Sequence, residues 1–157
     1  MSGQVQSASA VSELATLLLP VNGKQLVLPN VTVAEIIPYE QARFIENMPE
    51  WYLGMLSWRN QEIPLVSFDA INDGAALGQS SDQRIAVINC IVDDERMHFF
   101  GIVTEGVPRL MRVMADEMSS DSEEQCGPAE VARVMISGER AAIPDIEYIQ
   151  QVITKLM

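Results

Sequence analysis

From residue 14 onward the apolar residues fall in short runs divided by tight polar turns. Leu14-Ala-Thr-Leu-Leu-Leu-Pro-Val and Lys24-Gln-Leu-Val-Leu-Pro flank Asn22-Gly23. That arrangement predicts a hairpin, because a type I′ turn needs positive φ at both central positions. Val31–Pro38 is rich in β-branched residues and reads as a strand ended by Pro38. Residues 39–50 are mostly polar around Phe44-Ile45, and Pro49 is expected to start a short helical turn carrying Trp51, Tyr52 and Leu53. Gly54–Arg59 and Glu62–Phe68 predict a second hairpin turning at Asn60-Gln61, with Asp69-Ala-Ile as a strand exit or short turn and 72–83 as a loop.

The second half repeats the style without repeating the sequence. Arg84–Val92 is a nearly continuous apolar run, Asp93–Arg96 a turn, and Met97–Thr104 the partner strand. Arg109–Met114 alternates, with Arg112 expected toward water and Met111 and Val113 inward. Residues 115–129 read as an acidic loop. Val131–Ile136 and Arg140–Pro144 form a last hairpin around Ser137-Gly138. Asp145 is a candidate N-cap for a closing helix in which Ile146, Ile149, Ile153 and Leu156 recur at helical spacing. About eight short strands and one helix, joined without regular helical crossovers, predict antiparallel barrels or a sandwich. The expected organisation is a disordered tail over 1–12 and a single domain over 13–157. Its lobes would span roughly 14–71 and 84–145, share an interface, and be followed by the helix at 145–156.

Charge narrows the partners. Ten Lys and Arg against 22 Asp and Glu give a net charge of −12. That sign disfavours a nucleic-acid backbone or an anionic membrane surface, both of which are held by Lys and Arg. It suits a soluble protein that meets a basic partner. No apolar run approaches the ~18 residues of a membrane span. Residues 1–10 lack the basic and apolar regions of a signal peptide. Two cysteines make no disulfide framework, so the reducing cytoplasm is the expected compartment.

The residues for catalysis are sparse. His98 is the single histidine and lies in a strand-like run, where a packed or exposed strand residue is the simpler reading. Cys90 could face it across a hairpin, but its apolar strand offers no cation in sequence to lower the thiol pKa. A buried small hydrophobe accounts for it better. Zinc needs three or four Cys or His ligands, and the chain holds three such residues in all, badly spaced. The acids at 116–124 fail the EF-hand template, since Asp121 falls where Gly is needed and Gly127 where Glu is needed. No Gly-rich phosphate motif is present. The expectation is a protein that is not an enzyme and has no cofactor.

Four pieces in order carry a resemblance. They are Val33-Ala-Glu35-Ile36; Gly54-x-x-x-x-Arg59-Asn60-x-x-x-Pro64-Leu-Val-x-Phe-Asp; Gly101-Ile-Val-Thr104-Glu105-Gly-Val107; and the last hairpin with Ile-Pro-Asp-Ile-Glu-Tyr-Ile. Together they resemble the CheW-like family of chemotaxis coupling proteins over roughly 14–156. Asn60 stands where Gly is usual, Trp58 for Leu, Thr104 for Val and Glu105 for Asp. These departures mark a divergent member and fit a pilus-type (twitching motility) chemosensory system. The resemblance implies two small SH3-like five-stranded β-barrels packed together, with a C-terminal helix. It implies an adaptor that joins the regulatory domain of a CheA-type histidine kinase to a methyl-accepting chemoreceptor. The partner-binding residues would be Val33, Glu35, Ile36, Leu56, Trp58 and Arg59, with the kinase near Val33–Ile36 and the adjoining hairpin and the receptor in the groove between the lobes. Along β-strand geometry, Val33 and Glu35 would share one face and Ile36 take the other. A ligand-binding or structural β-module unrelated to signalling is the alternative.

Overall fold

The computed structural model describes residues 13–75, 78, 80–121 and 125–157. The expected tail at 1–12 lies outside them. The described strands are β1 (Glu13–Val21), β2 (Lys24–Pro29), β3 (Val33–Pro38), β4 (Tyr52–Trp58), β5 (Gln61–Val66), β6 (Arg84–Asn89), β7 (Phe99–Thr104), β8 (Arg109–Met114), β9 (Met118–Ser120), β10 (Glu130–Ile136) and β11 (Glu139–Pro144). Two helices join them, α1 (Phe68–Asp73) and α2 (Ile146–Thr154).

The turns follow the sequence where short-range chemistry decides. β1 and β2 pair across Asn22-Gly23, with Val21 opposite Lys24. β10 and β11 pair across Ser137-Gly138, both in the left-handed region. Asp145 caps α2 by accepting from the Tyr148 N–H, and Ile146, Ile149 and Ile153 are buried. Three expectations are corrected. The second hairpin turns at Arg59-Asn60, both with positive φ, because Trp58 pairs with Gln61. Pro49 does open a turn, accepting from the Tyr52 N–H, but Tyr52 and Leu53 already belong to β4. Phe68–Asp73 is a helix rather than a strand exit or short turn, because the Ser67 hydroxyl caps it by accepting from the Ala70 N–H.

The strands sort into two sheets. One has six strands in the order β8-β1-β2-β11-β10-β9 and the other five in the order β3-β6-β7-β5-β4. Each sheet draws strands from both halves of the chain, so the sheets do not coincide with 14–71 and 84–145. Four pairings join the halves: the antiparallel β1–β8 and β3–β6, and the parallel β2–β11 and β5–β7, the last two of which the antiparallel expectation did not contain. Loop closure makes long-range pairing invisible to local pattern.

Three apolar clusters fill the molecule. Leu56, Trp58, Ile63, Leu65, Ile85, Val87 and Val103 line the interior of the five-stranded sheet. Leu18, Val27, Val113, Val134, Ile136 and Ala141 line the six-stranded one. The largest cluster lies between the sheets and takes in Leu19, Leu26, Ala86, Ile88, Phe100, Ile102 and the buried face of α2. β8 places Val113 inward, Met111 partly inward and Arg112 toward water, as its alternation predicts.

A charged group closes one side of this shared core. The Glu130 carboxylate at the start of β10 is fully buried and accepts from Lys24 Nζ (2.8 Å), Asn72 Nδ2 (2.9 Å), Arg133 Nε (2.6 Å) and the Gly127 N–H (3.0 Å). Burial alone would push its pKa up; the hydrogen bonds outweigh it and hold the carboxyl down at about 2. Asn72 belongs to α1, which follows β5 of the other sheet, so the network ties the two sheets together.

Candidate docking site

The order β3-β6-β7-β5-β4 leaves β3 and β4 as the two edges of the five-stranded sheet. Glu35 joins them. Its Oε1 accepts from Trp58 Nε1 at 2.9 Å and from an Arg59 guanidinium nitrogen at 3.2 Å. The guanidinium carbon of Arg59 sits 4.6 Å from the centroid of the Trp58 ring, a cation–π stack. Phe99 meets the same ring edge-on at a centroid distance of 4.8 Å. The Arg59–Glu35 pair is solvent-exposed, whereas Trp58 is 6% exposed. One face of this group is therefore core and the other a charged surface at the mouth of the barrel.

Of the six residues expected to bind a partner, the structure brings together Glu35, Trp58 and Arg59. Leu56, 2% exposed, lies inside the barrel and supports that surface from beneath rather than presenting itself to a partner. The expected division of faces on β3 is corrected. A β-bulge falls between Val33 and Glu35. Val33 then lies opposite Ile88 and Ile36 opposite Ala86, both on the face of the inter-sheet core, while Glu35 lies opposite Val87, on the barrel-interior face. The extra residue of a bulge resets the two-residue alternation. Val33 and Ile36 thus share a face, half-exposed, with Ile45, Met48 and Trp51 packed against the same core. The exposed ring of Phe44 lies in the same segment. Val33, Ile36, Ile45, Met48 and Trp51 each pack, partly buried, on the core between the sheets. Ile45 and Met48 were not singled out in the sequence, where Phe44-Ile45 in an otherwise polar stretch was the local signal.

The residues weighed for catalysis lie in the β6–β7 connection, Cys90 just after β6 and His98 just before β7. Cys90 and His98 do face each other across the β6–β7 hairpin, through a backbone bond from the Cys90 N–H to the His98 carbonyl. Burial pushes the Cys90 thiol up to about 12, with Asp94 adding to it, so the thiolate is absent at neutral pH. Among the described residues no group of three or more His, Cys, Asp or Glu could hold a metal ion. No helix among them is long and apolar enough to cross a membrane.

The chain belongs to the CheW-like domain family, which it matches over residues 15–153. Among solved structures it resembles the scaffolding protein TtCheW from Thermoanaerobacter tengcongensis. The TM-score is 0.73 over 87% of this chain and 86% of that one, at 13% sequence identity. No curated protein sequence matches it.

Proposed function

We propose that this protein is a cytoplasmic, non-catalytic adaptor that couples a methyl-accepting chemoreceptor to a CheA-type histidine kinase. The observation that carries the reading is the Glu35–Trp58–Arg59 group. It sets a charged pair on a rigid aromatic base at the mouth of the barrel, within a chain of the CheW-like family. Such a group is pre-organised, so a partner that meets it loses little freedom in ordering it. The exposed charges select the partner and its register, while apolar contact supplies most of the affinity. The kinase regulatory domain is assigned to this end. Val33 and Ile36 are assigned to the same kinase end, and the receptor to the groove between the lobes, where Ile45, Met48 and Trp51 pack partly buried on the core and a receptor helix could lay an apolar face. Holding both partners at once raises their effective concentration, which is the adaptor's whole contribution.

The test is calorimetric titration of the purified protein with the regulatory domain of a CheA-type kinase from the same genome, beside Arg59→Ala and Glu35→Ala. Saturable binding, weakened by each change in a protein that still melts cooperatively, is the expected result. A folded protein that binds no such domain would refute the kinase half of the reading.

A further inference from the structure

β3 begins, β6 ends, β7 begins and the β4–β5 hairpin turns at one and the same end of the five-stranded sheet, as the pairings Val33–Ile88, Asn89–Phe99 and Trp58–Gln61 require. The β6–β7 loop therefore shares an end with the Glu35–Trp58–Arg59 group. In that loop two apolar side chains face water, Ile91 at 60% exposure and Val92 at 43%. Val31, just ahead of β3, is 83% exposed, and its carbonyl accepts from Asn89 Nδ2.

The loop is held from inside. Gln150 of α2 is 2% exposed. Its Oε1 accepts from the N–H groups of both Ile91 and Val92, each at 3.1 Å, and its Nε2 donates to the Val92 carbonyl at 2.6 Å. A buried glutamine with every one of these bonds aimed at two consecutive residues fixes their backbone. Their apolar side chains stay largely exposed among the described residues. An exposed apolar pair gains nothing for folding, so fixing its backbone serves contact with something else. Rigidity lowers the entropy lost on binding.

The rim states what that partner looks like. Asp93 and Glu95 are exposed beside the apolar pair, and the Asp94 carboxylate is neutralised by Arg96 within the same turn. The surface is an apolar knuckle with a net acidic border. A second copy of this chain would bring the same acids and its own −12 charge against it, which disfavours self-association. We propose that the Ile91–Val92 knuckle is an anchor for the kinase regulatory domain, seated in an apolar groove rimmed by Lys or Arg, and that Gln150 is its positioning residue. This rests on the adaptor reading above and extends its docking surface along the same end of the barrel.

The experiment titrates two probes against the full chain, the kinase regulatory domain and a soluble helical fragment of the receptor signalling tip. The double change Ile91→Ser with Val92→Ser alters exposed positions only, so folding should hold. It is expected to weaken kinase binding about tenfold or more, the scale of losing a central apolar anchor, and to leave receptor-fragment binding unchanged. Gln150→Leu keeps both apolar side chains and frees the loop; it is expected to weaken kinase binding by a smaller factor. Asp93→Asn with Glu95→Gln should flatten the salt dependence of the kinase association rate. Wild-type binding that the Ile91/Val92 change leaves intact would overturn the knuckle while the adaptor reading stands. Loss confined to the receptor fragment, or equal loss of both probes, would overturn it too. A wild-type protein that binds no kinase domain would remove both.

Discussion

The indole Nε1 of Trp58 lies 2.9 Å from Oε1 of Glu35, so one carboxylate oxygen on an edge strand satisfies a nearly buried donor on the opposite edge of the same sheet. The Arg59 pair to the same oxygen is exposed and adds little to stability, under about 1 kcal/mol. Glu35→Ala leaves the indole donor without an acceptor and is expected to cost about 1–2 kcal/mol in urea unfolding. Glu35→Gln keeps an acceptor and should cost less than half of that. Equal losses for the two would show that the ion pair, and not the indole bond, carries the stability.

Glu130 predicts an acid limb in the stability curve. Its folded pKa of about 2 lies below the ordinary 4.5, so between those values the unfolded chain binds the extra proton. The stability it contributes is complete above about pH 5 and is lost as pH falls toward 2. Glu130→Gln should lower Tm at pH 7, with about 3 kcal/mol lost, because Lys24 stays largely buried without this anion. It should also flatten the fall of Tm between pH 5 and 2. A variant with the wild-type slope would contradict the assignment.

Asp69 predicts the opposite sign. Burial pushes its pKa up against the lowering effect of the Asn22 N–H, and its Oδ1 has no hydrogen-bond partner among the described residues. A buried acid with a raised pKa destabilises the fold where it is ionised and ceases to do so once protonated. Asp69→Asn keeps an acceptor for Asn22 and drops the charge. It should raise Tm at pH 7, with the advantage shrinking as pH falls through the raised pKa. Differential scanning calorimetry across that range checks it.

Gly54 has φ +141, and a Cβ there would overlap the Arg43 carbonyl, which pairs with Met55 across an isolated β-bridge. Gly54→Ala is expected to lose at least about 2 kcal/mol through backbone strain and to displace Arg43. A neutral effect in urea unfolding would show that the Arg43 segment can move aside freely.

Much of this was legible in the sequence, and the boundary is physical. Asn22-Gly23, Ser137-Gly138 and the Asp145 cap act within a few residues, so local chemistry announced them. The family pattern carried Glu35 and Arg59 to one place before any contact was known, and the geometry added that Trp58 binds the same oxygen. The strand exchange between halves depends on the β1–β8, β2–β11, β3–β6 and β5–β7 pairings, which no local pattern marks. The bulge that turns Val33 away from Glu35 adds one residue to an otherwise ordinary strand. Nothing local marks Glu130, because its partners Lys24 and Asn72 lie 106 and 58 residues away.

Coupling itself is tested most directly by co-sedimentation. Receptor-bearing membranes and the CheA-type kinase are mixed with increasing amounts of this protein, and the kinase in the pellet is measured. The adaptor account predicts that pelleted kinase rises with the protein, saturates, and fails to rise with Arg59→Ala. Kinase in the pellet at the same level with and without the protein would contradict it.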